Sequence, residues 1–149
     1  MKPPFPNEVK AAQSSERLQQ RRVLVVDDER RIADTLTAIL RLKDYHAEAA
    51  YNGPSGIQMY RRLQPALVIS DVVMPGMTGI EMAIVLQREF SKCQVLLFSG
   101  QGATSDLLER ARAEGYEFEV LAKPVHPDQL LERVMQMIGP GDEVAASQS

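Results

Sequence analysis

The sequence predicts an α/β domain in which a parallel β-sheet is covered by helices on both faces. Short apolar runs alternate five times with longer amphipathic segments along the chain. The runs are rich in valine, leucine and isoleucine, as is typical of strands buried on both faces. Parallel strands need crossover connections, which the amphipathic segments supply as helices. The 149 residues fit one domain, which typically has about 100–200 residues.

Five short segments carry the strand pattern, each a run of mostly apolar residues bounded by polar or turn-forming ones. The second is the weakest, because it contains alanine, histidine and glutamate rather than a continuous branched run. In chain order, the predicted strands are 23–26, 46–50, 67–69, 95–98 and 118–121.

Five longer segments carry the helix pattern. Pro54 and Pro127 stand at the starts of the second and fifth helices, where a missing N–H costs nothing. The third helix is predicted over about 79–90, and Thr104 or Ser105 is expected to cap the fourth. Apolar residues at helical spacing predict the buried faces of the other four helices: Ile32, Leu36, Ile39 and Leu40; Ile57, Tyr60 and Leu63; Leu107, Leu108 and Ala111; Leu130, Leu131, Val134 and Ile138.

The two ends of the chain differ in composition from the segment between them. Residues 1–20 begin with three prolines and continue as a polar stretch, which predicts a flexible arm. Residues 139–149 begin Gly-Pro-Gly and contain little apolar surface, which predicts a disordered tail. The predicted domain therefore spans 21–138. The tail is too short for a helix-turn-helix, so we expect a stand-alone domain.

Composition excludes several classes of protein. Lys and Arg number 17 against 20 Asp and Glu, and nucleic-acid-binding domains usually carry a clustered basic face. The single cysteine, Cys93, excludes an internal disulfide and a multi-cysteine zinc site. No apolar run approaches the roughly 20 residues that span a bilayer, and the N-terminus lacks the apolar core of a signal peptide. We therefore expect a cytoplasmic protein that binds neither nucleic acid nor membrane.

Polar residues of complementary chemistry follow four of the predicted strands. Asp27 and Asp28 follow the first, Asp71 the third, Ser99 the fourth, and Lys123 comes shortly after the fifth. They should converge, because ligands of doubly wound folds bind outside the carboxyl ends of the strands. Carboxylates crowded together repel one another, and Mg²⁺ would neutralise them. With the lysine and serine, they describe a site that holds a phosphoryl group and keeps one carboxylate as nucleophile.

Four motifs stand at the ends of predicted strands, at Val23–Glu29, Ser70–Gly79, Phe98–Gly100 and Ala122–Pro124. In this order they resemble the receiver domain of two-component response regulators, in its stand-alone, chemotaxis-regulator-like form. The resemblance covers roughly Arg22–Ile138. It implies a flavodoxin-like, doubly wound sheet of five parallel strands in the order 2-1-3-4-5. It also implies a signalling domain rather than an enzyme, with only self-phosphorylation and autodephosphorylation.

The resemblance implies a phosphoacceptor and a metal site. Asp71 corresponds to the phosphoacceptor of the family. Asp27 and Asp28, together with Asp71 and the backbone carbonyl of Val73, correspond to the groups that hold Mg²⁺ or Mn²⁺. Read without the family, Asp27 and Asp28 could instead cap the first helix, whose N-terminus favours acids.

The resemblance also implies roles for residues after the last two strands. Ser99 would donate to a phosphoryl oxygen, and Gly100 beside it would leave the phosphoryl group room. Lys123 would pair with the phosphoryl charge, and Lys123–Pro124 would be a cis peptide bond.

Three positions concern departures from the receiver pattern or the expected lifetime of the phosphoryl group. Val120 stands where receivers commonly have a Tyr or Phe that swings inward on activation. We therefore do not expect an aromatic side chain to transmit activation in this chain. Val73 has no polar group to orient an attacking water, whereas Gln101 does. We therefore expect a long-lived phosphoryl group limited by Val73.

The partners that the resemblance implies are a sensor histidine kinase or histidine phosphotransfer protein and a downstream protein. The downstream contact would use helix 4, strand 5 and helix 5, a surface that the family also uses for homodimers. Such a protein would accept a phosphoryl group on Asp71 from phosphohistidine and switch conformation.

Three alternatives remain open at this point. A haloacid-dehalogenase-like phosphatase would carry Asp-x-Asp after the first strand, where this chain has Asp27-Asp28-Glu29. A dinucleotide site would need a third glycine where Ser105 follows Gly100-Gln101-Gly102. A receiver-like protein-binding module that is never phosphorylated would keep the same fold.

Overall fold

The computed structural model describes residues 19–100 and 102–141. Residues 19–21 are helical and lead into the first strand. The strands that follow are β1 (Arg22–Val26), β2 (His46–Ala50), β3 (Leu67–Asp71), β4 (Val95–Ser99) and β5 (Glu119–Ala122). The helices between and after them are α1 (Arg30–Leu42), α2 (Gly53–Leu63), α3 (Gly79–Glu89), α4 (Ala103–Ala113) and α5 (Pro127–Ile138).

The five strands form one parallel sheet in the order β2-β1-β3-β4-β5. The predicted fold class and strand order are therefore confirmed. In register, Asp71 at the end of β3 lies opposite Phe98 in β4, and Ser99 lies opposite Ala122 in β5. The carboxyl ends of these strands consequently meet at one edge of the sheet.

Each face of the sheet packs against its own set of helices. Val23 and Val25 of β1 belong to the core beneath α1 and α5, whereas Leu24 and Val26 belong to the core beneath α2, α3 and α4. All four are at most 1% exposed. This alternation explains why the strand reads as a continuous apolar run, because both of its faces are buried.

The buried face of α1 differs from the predicted one. Ala33, Thr37 and Leu40 are the buried residues of this helix, while Ile32 is 36% exposed. Thr37 can lie in the core because its hydroxyl donates to the Ala33 carbonyl oxygen at 2.7 Å. A threonine whose hydroxyl is hydrogen-bonded within the helix can thus lie on the buried face in place of an apolar residue.

The predicted cap of α4 is wrong. The helix begins at Ala103, its N-cap is Gly102 with φ +90°, and no side chain caps it. Thr104 therefore lies inside the first turn, where its hydroxyl donates to the carbonyl oxygen of Gly100. The glycine adopts a backbone conformation that other residues rarely adopt, so the helix starts earlier than the sequence pattern indicates.

The last residues before position 142 pack against the domain. The Tyr45 hydroxyl donates to the Gly139 carbonyl oxygen at 2.6 Å, and Gly141 is buried against the backbone of Lys43 and Asp44. Packing therefore extends three residues beyond the predicted boundary at 138. Most of the predicted arm and tail, at 1–18 and 142–149, lies outside the described residues. Within 19–100 and 102–141, no helix is both long and apolar enough to cross a membrane.

Candidate functional site

Asp71 lies at the centre of the carboxyl edge of the sheet. It ends β3, and the residue is 9% exposed. Its Oδ2 accepts a hydrogen bond from Lys123 Nζ at 2.6 Å, and its Oδ1 accepts one from the Val73 backbone N–H at 3.2 Å. Lys123 follows β5, 52 residues further along the chain, so the ion pair exists only because β3 and β5 flank β4. Two of the residues that the sequence predicted to meet are therefore in contact.

Asp27 is a buried acid beside this pair. It follows β1 directly, is 2% exposed, and accepts a hydrogen bond on Oδ1 from the Glu29 N–H at 2.9 Å. Burial raises the pKa of the Asp27 carboxyl, because the charged form loses solvation. The Glu29 hydrogen bond opposes this rise, while the negative charges of Asp71 and Asp28 add to it. The acids are thus close enough to repel one another.

The oxygen donors of this edge suit a hard divalent cation. The described residues contain no group of three or more His, Cys, Asp or Glu side chains placed to hold a metal ion. Mg²⁺ does not require such a group, because it keeps several waters and is held by one or two carboxylates plus phosphate oxygens. Asp27 and Asp71 supply two carboxylates whose repulsion a cation would relieve, and the exposed Asp28 follows Asp27 in the chain. The residues present therefore fit the ion.

Ser99 ends β4 and takes part in a small hydroxyl network. Its Oγ lies 2.7 Å from Thr104 Oγ1 and 3.0 Å from the Gly100 carbonyl oxygen. Thr104 is 3% exposed, whereas Ser99 and Gly100 are half-buried. The backbone at Gly100 has open space where a side chain would begin. Thr104 was not predicted at this site, because the sequence indicated only a helix cap there.

The remaining predicted positions lie around these groups. Val73 is 56% exposed and contacts Asp71 through its backbone N–H. Val120 is half-buried on β5 and packs against the core beneath α2, α3 and α4. The Lys123–Pro124 bond is cis. Gln101 lies outside the described residues.

Gly79 and Ser70 shape the backbone of the acceptor loop, a role that sequence reasoning did not assign to them although both residues belong to one of the sequence motifs. The Gly79 N–H donates to the Val72 carbonyl oxygen at 2.8 Å, and a Cβ at Gly79 would overlap the carbonyl oxygen of Asp71. The buried Ser70 hydroxyl donates to that same carbonyl at 2.9 Å. In the sequence, the role of Gly79 was indicated only by a glycine at the first position of a predicted helix, because glycine is unfavourable within helices.

Comparison with known proteins identifies the family. The family model described as the response regulator receiver domain matches residues 23–135. The chain belongs to the response regulator receiver family. As a receiver domain it is part of two-component signalling and is a signalling domain rather than a classical enzyme. Membership in this family excludes the haloacid-dehalogenase-like and dinucleotide-binding alternatives.

Curated relatives of this receiver domain are longer regulators. The DNA-binding response regulator MtrA of Mycolicibacterium paratuberculosis is 28% identical over 127 residues, which cover 85% of this chain and 55% of MtrA. The probable transcriptional regulatory protein TcrX of Mycobacterium tuberculosis is 30% identical over 116 residues, covering 78% of this chain and 49% of TcrX. The chain thus spans about half the length of the curated relatives it matches.

Solved receiver domains share the fold. A response regulator receiver domain from Clostridium thermocellum matches with a TM-score of 0.71 and 25% identity, over 78% of this chain and 93% of that one. The chemotaxis protein CheY4 of Vibrio cholerae matches with a TM-score of 0.67 and 27% identity, over 78% and 97% of the two chains. Receiver domains generally bind Mg²⁺ for phosphorylation and work between a kinase or phosphotransfer partner and an effector.

Proposed function

We propose that this receiver domain accepts a phosphoryl group on Asp71 from a phosphohistidine donor, with Mg²⁺ or Mn²⁺ bound, and then switches conformation to control a partner protein. The observation that carries the proposal is the Asp71 carboxylate held between Lys123 Nζ and the Val73 N–H at the edge of the sheet. An ionised carboxylate kept in place by donors is a nucleophile that forms an acyl phosphate. A carboxylate oxygen bonds to phosphorus, the phosphorus–nitrogen bond breaks with its electron pair passing to the nitrogen, and the donor's imidazole leaves neutral after taking up one proton from solvent.

Binding of the metal would bring the carboxylates of Asp27, Asp28 and Asp71 and the backbone carbonyl of Val73 around it, since these acids do not form a ready-made metal group in the described residues. A bound Mg²⁺ neutralises charge on the phosphoryl oxygens as they approach the acid. The structure supports this assignment through the buried position of Asp27 and the repulsion it experiences from Asp71 and Asp28. Without the cation, the incoming phosphoryl group would add negative charge to an already crowded edge.

Lys123 would pair with the phosphoryl group once it is attached. Its ammonium already neutralises Asp71, and its side chain is 40% exposed, so it has room to shift outward with the new charge. Ser99 would donate its hydroxyl hydrogen to a phosphoryl oxygen, and the open backbone at Gly100 would admit the group. A phosphoryl group shifts a conformational equilibrium only by contacting one state better than the other, and these two donors provide that difference.

The switch would run through the backbone around Ser99 rather than through an aromatic side chain. Val120 occupies the position at which an aromatic residue would swing inward, and it packs against the core. A valine has no large rotamer change to make between two states. The segment that joins Ser99 to the start of α4 is the element left to transmit the signal.

The partner would be a protein that docks on α4, β5 and α5, or a second copy of this chain on the same surface. The net charge of −3 supports a protein partner rather than nucleic acid. MtrA is named as DNA-binding, and this chain matches only about half of it, so its DNA-binding property is not carried over. The domain would act in the cytoplasm, where histidine kinases use ATP to form phosphohistidine.

Incubation with acetyl phosphate and Mg²⁺, followed by intact-mass measurement, tests this function. We expect a mass gain of one phosphoryl group that does not form when EDTA is present from the start of the incubation, nor in Asp71→Asn. Asp128→Asn makes the same chemical change at the exposed start of α5 and should leave the mass gain intact. Circular dichroism should show that both variants fold. A folded wild-type chain that gains no mass would contradict the proposal and favour a binding module that is never phosphorylated.

A further inference from the structure

We infer that Thr104 is a positioning residue that holds the Ser99 hydroxyl in the resting conformation and thereby sets how readily the site accepts a phosphoryl group. The inference rests on the proposed function, since it assigns a regulator of the same site. Thr104 touches neither Asp71 nor Lys123 in the contacts described above, and it acts through Ser99.

The contacts join the last residue of β4, the residue that follows it and the second residue of α4. Thr104 Oγ1 lies 2.7 Å from Ser99 Oγ and donates to the Gly100 carbonyl oxygen. Ser99 Oγ also lies 3.0 Å from that carbonyl oxygen. Thr104 is 3% exposed, so water does not readily replace these partners.

Two hydroxyl groups carry two protons for these three contacts. When the Thr104 proton goes to Gly100, the Ser99 proton goes to Thr104 or to the same carbonyl. The two protons serve the two shorter contacts when Thr104 donates to Gly100 and Ser99 donates to Thr104, which leaves only the 3.0 Å contact between Ser99 and Gly100 without a proton. To donate to a phosphoryl oxygen, Ser99 must give up Thr104 as its partner.

The exchange couples the site to α4. Thr104 is the second residue of the helix, and no side chain caps the helix start. Its hydroxyl is thus the side-chain link from the first turn of α4 to the strand end at Ser99. Release of Ser99 frees this turn to move, whereas the bond between Thr104 and Gly100 can persist in both states.

The test measures beryllofluoride binding in the presence of Mg²⁺ by titration calorimetry, since the chain has no tryptophan to report binding. Thr104→Val keeps the shape and removes the hydroxyl. A neutral hydrogen bond contributes about 0.5–1.5 kcal/mol net, so its loss from the resting state should tighten binding by about two- to tenfold. Thr104→Ser restores the hydroxyl and should bind like the wild type.

A double-mutant cycle separates positioning of Ser99 from a general packing effect. In the Ser99→Ala background, Thr104→Val should no longer change beryllofluoride affinity. In the ligand-free protein, the losses of unfolding free energy caused by Ser99→Ala and Thr104→Val should be non-additive, because both substitutions remove the bond between the two hydroxyls, while Thr104→Val also removes the bond to Gly100.

The outcomes distinguish the inference from the proposed function. If wild-type protein binds beryllofluoride through Asp71 but Thr104→Val binds equally or more weakly, the inference is overturned and the proposed function stands. Additive losses of stability would overturn it as well. If the wild type does not bind beryllofluoride, the proposed function itself fails.

Discussion

At the scale of single residues, the site depends on a balance of charge around Asp71. One cation, Lys123, contacts the acceptor directly, whereas Asp27 is buried nearby and its negative charge opposes that of Asp71. Such an arrangement leaves net negative charge at this edge for a divalent cation to neutralise. A substitution of Asp27, with a matched control at Asp28, tests the repulsive part of this balance.

Asp27→Asn should stabilise the metal-free protein at neutral pH, because it removes a buried charge that repels Asp71 and Asp28. Folding raises the pKa of Asp27, so its ionised form opposes folding. This loss of folding stability is absent below the ordinary pKa of 3.8. It grows as the pH rises above 3.8 and is complete above the raised pKa that Asp27 has in the folded protein. Urea denaturation in EDTA across this pH range measures the effect.

The matched control is Asp28→Asn, which removes an exposed acid from the adjacent position. It should change stability less, since an exposed charge keeps its solvation. Mg²⁺ should stabilise the wild type more than Asp27→Asn. If Asp27→Asn destabilised the metal-free protein at neutral pH, the role assigned to charge repulsion would be wrong.

Val73→Asn should shorten the lifetime of the phosphoryl group severalfold. Val73 is 56% exposed and its backbone contacts the acceptor, so its side chain stands at the solvent side of the site. An amide there can orient an attacking water, whereas the isopropyl group cannot. The decay of the phosphorylated protein after donor removal measures the lifetime. Val73→Ala stays apolar and should decay like the wild type, and an unchanged lifetime in Val73→Asn would reject the idea.

At the scale of secondary-structure elements, the start of α3 sets the backbone of the acceptor. Gly79 is the first residue of α3 and packs directly on the end of β3, with its N–H bonded to Val72. Thr78 fixes this start by accepting the Glu81 N–H on its hydroxyl oxygen at 3.0 Å. Close approach of a helix to a strand end is one of the uses for which glycine is required.

Gly79→Ala should lower the free energy of unfolding by about 1–3 kcal/mol, because its Cβ would overlap the carbonyl oxygen of Asp71. It should also slow phosphorylation, since relief of the overlap displaces the acceptor. Gly100→Ala is the control, because a Cβ there meets open space, and its stability should stay within about 0.5 kcal/mol of wild type. Urea denaturation measures the stability of both variants, and the rate of phosphorylation is compared between Gly79→Ala and the wild type. Equal stability of the two variants would show that the overlap is relieved without cost.

At the scale of the whole molecule, the fold could be predicted from the sequence and parts of the site could not. Apolar runs bounded by polar or turn-forming residues located the five strands, whereas their order was predicted from the resemblance to receiver domains. The meeting of Lys123 with Asp71 was also predictable, because it follows from strand order alone. Thr104 and Gly79 were missed, because their roles arise from backbone approach and hydroxyl geometry that sequence spacing does not encode.

The most direct test of the account identifies the residue that carries the phosphoryl group. After incubation with acetyl phosphate and Mg²⁺, borohydride reduces an acyl phosphate to an alcohol and leaves free carboxylates unchanged. Peptide mapping should then find homoserine in place of aspartate at Asp71 and at no other acid. Homoserine at Asp27 or Asp28, or none in any peptide of a folded sample, would contradict the account.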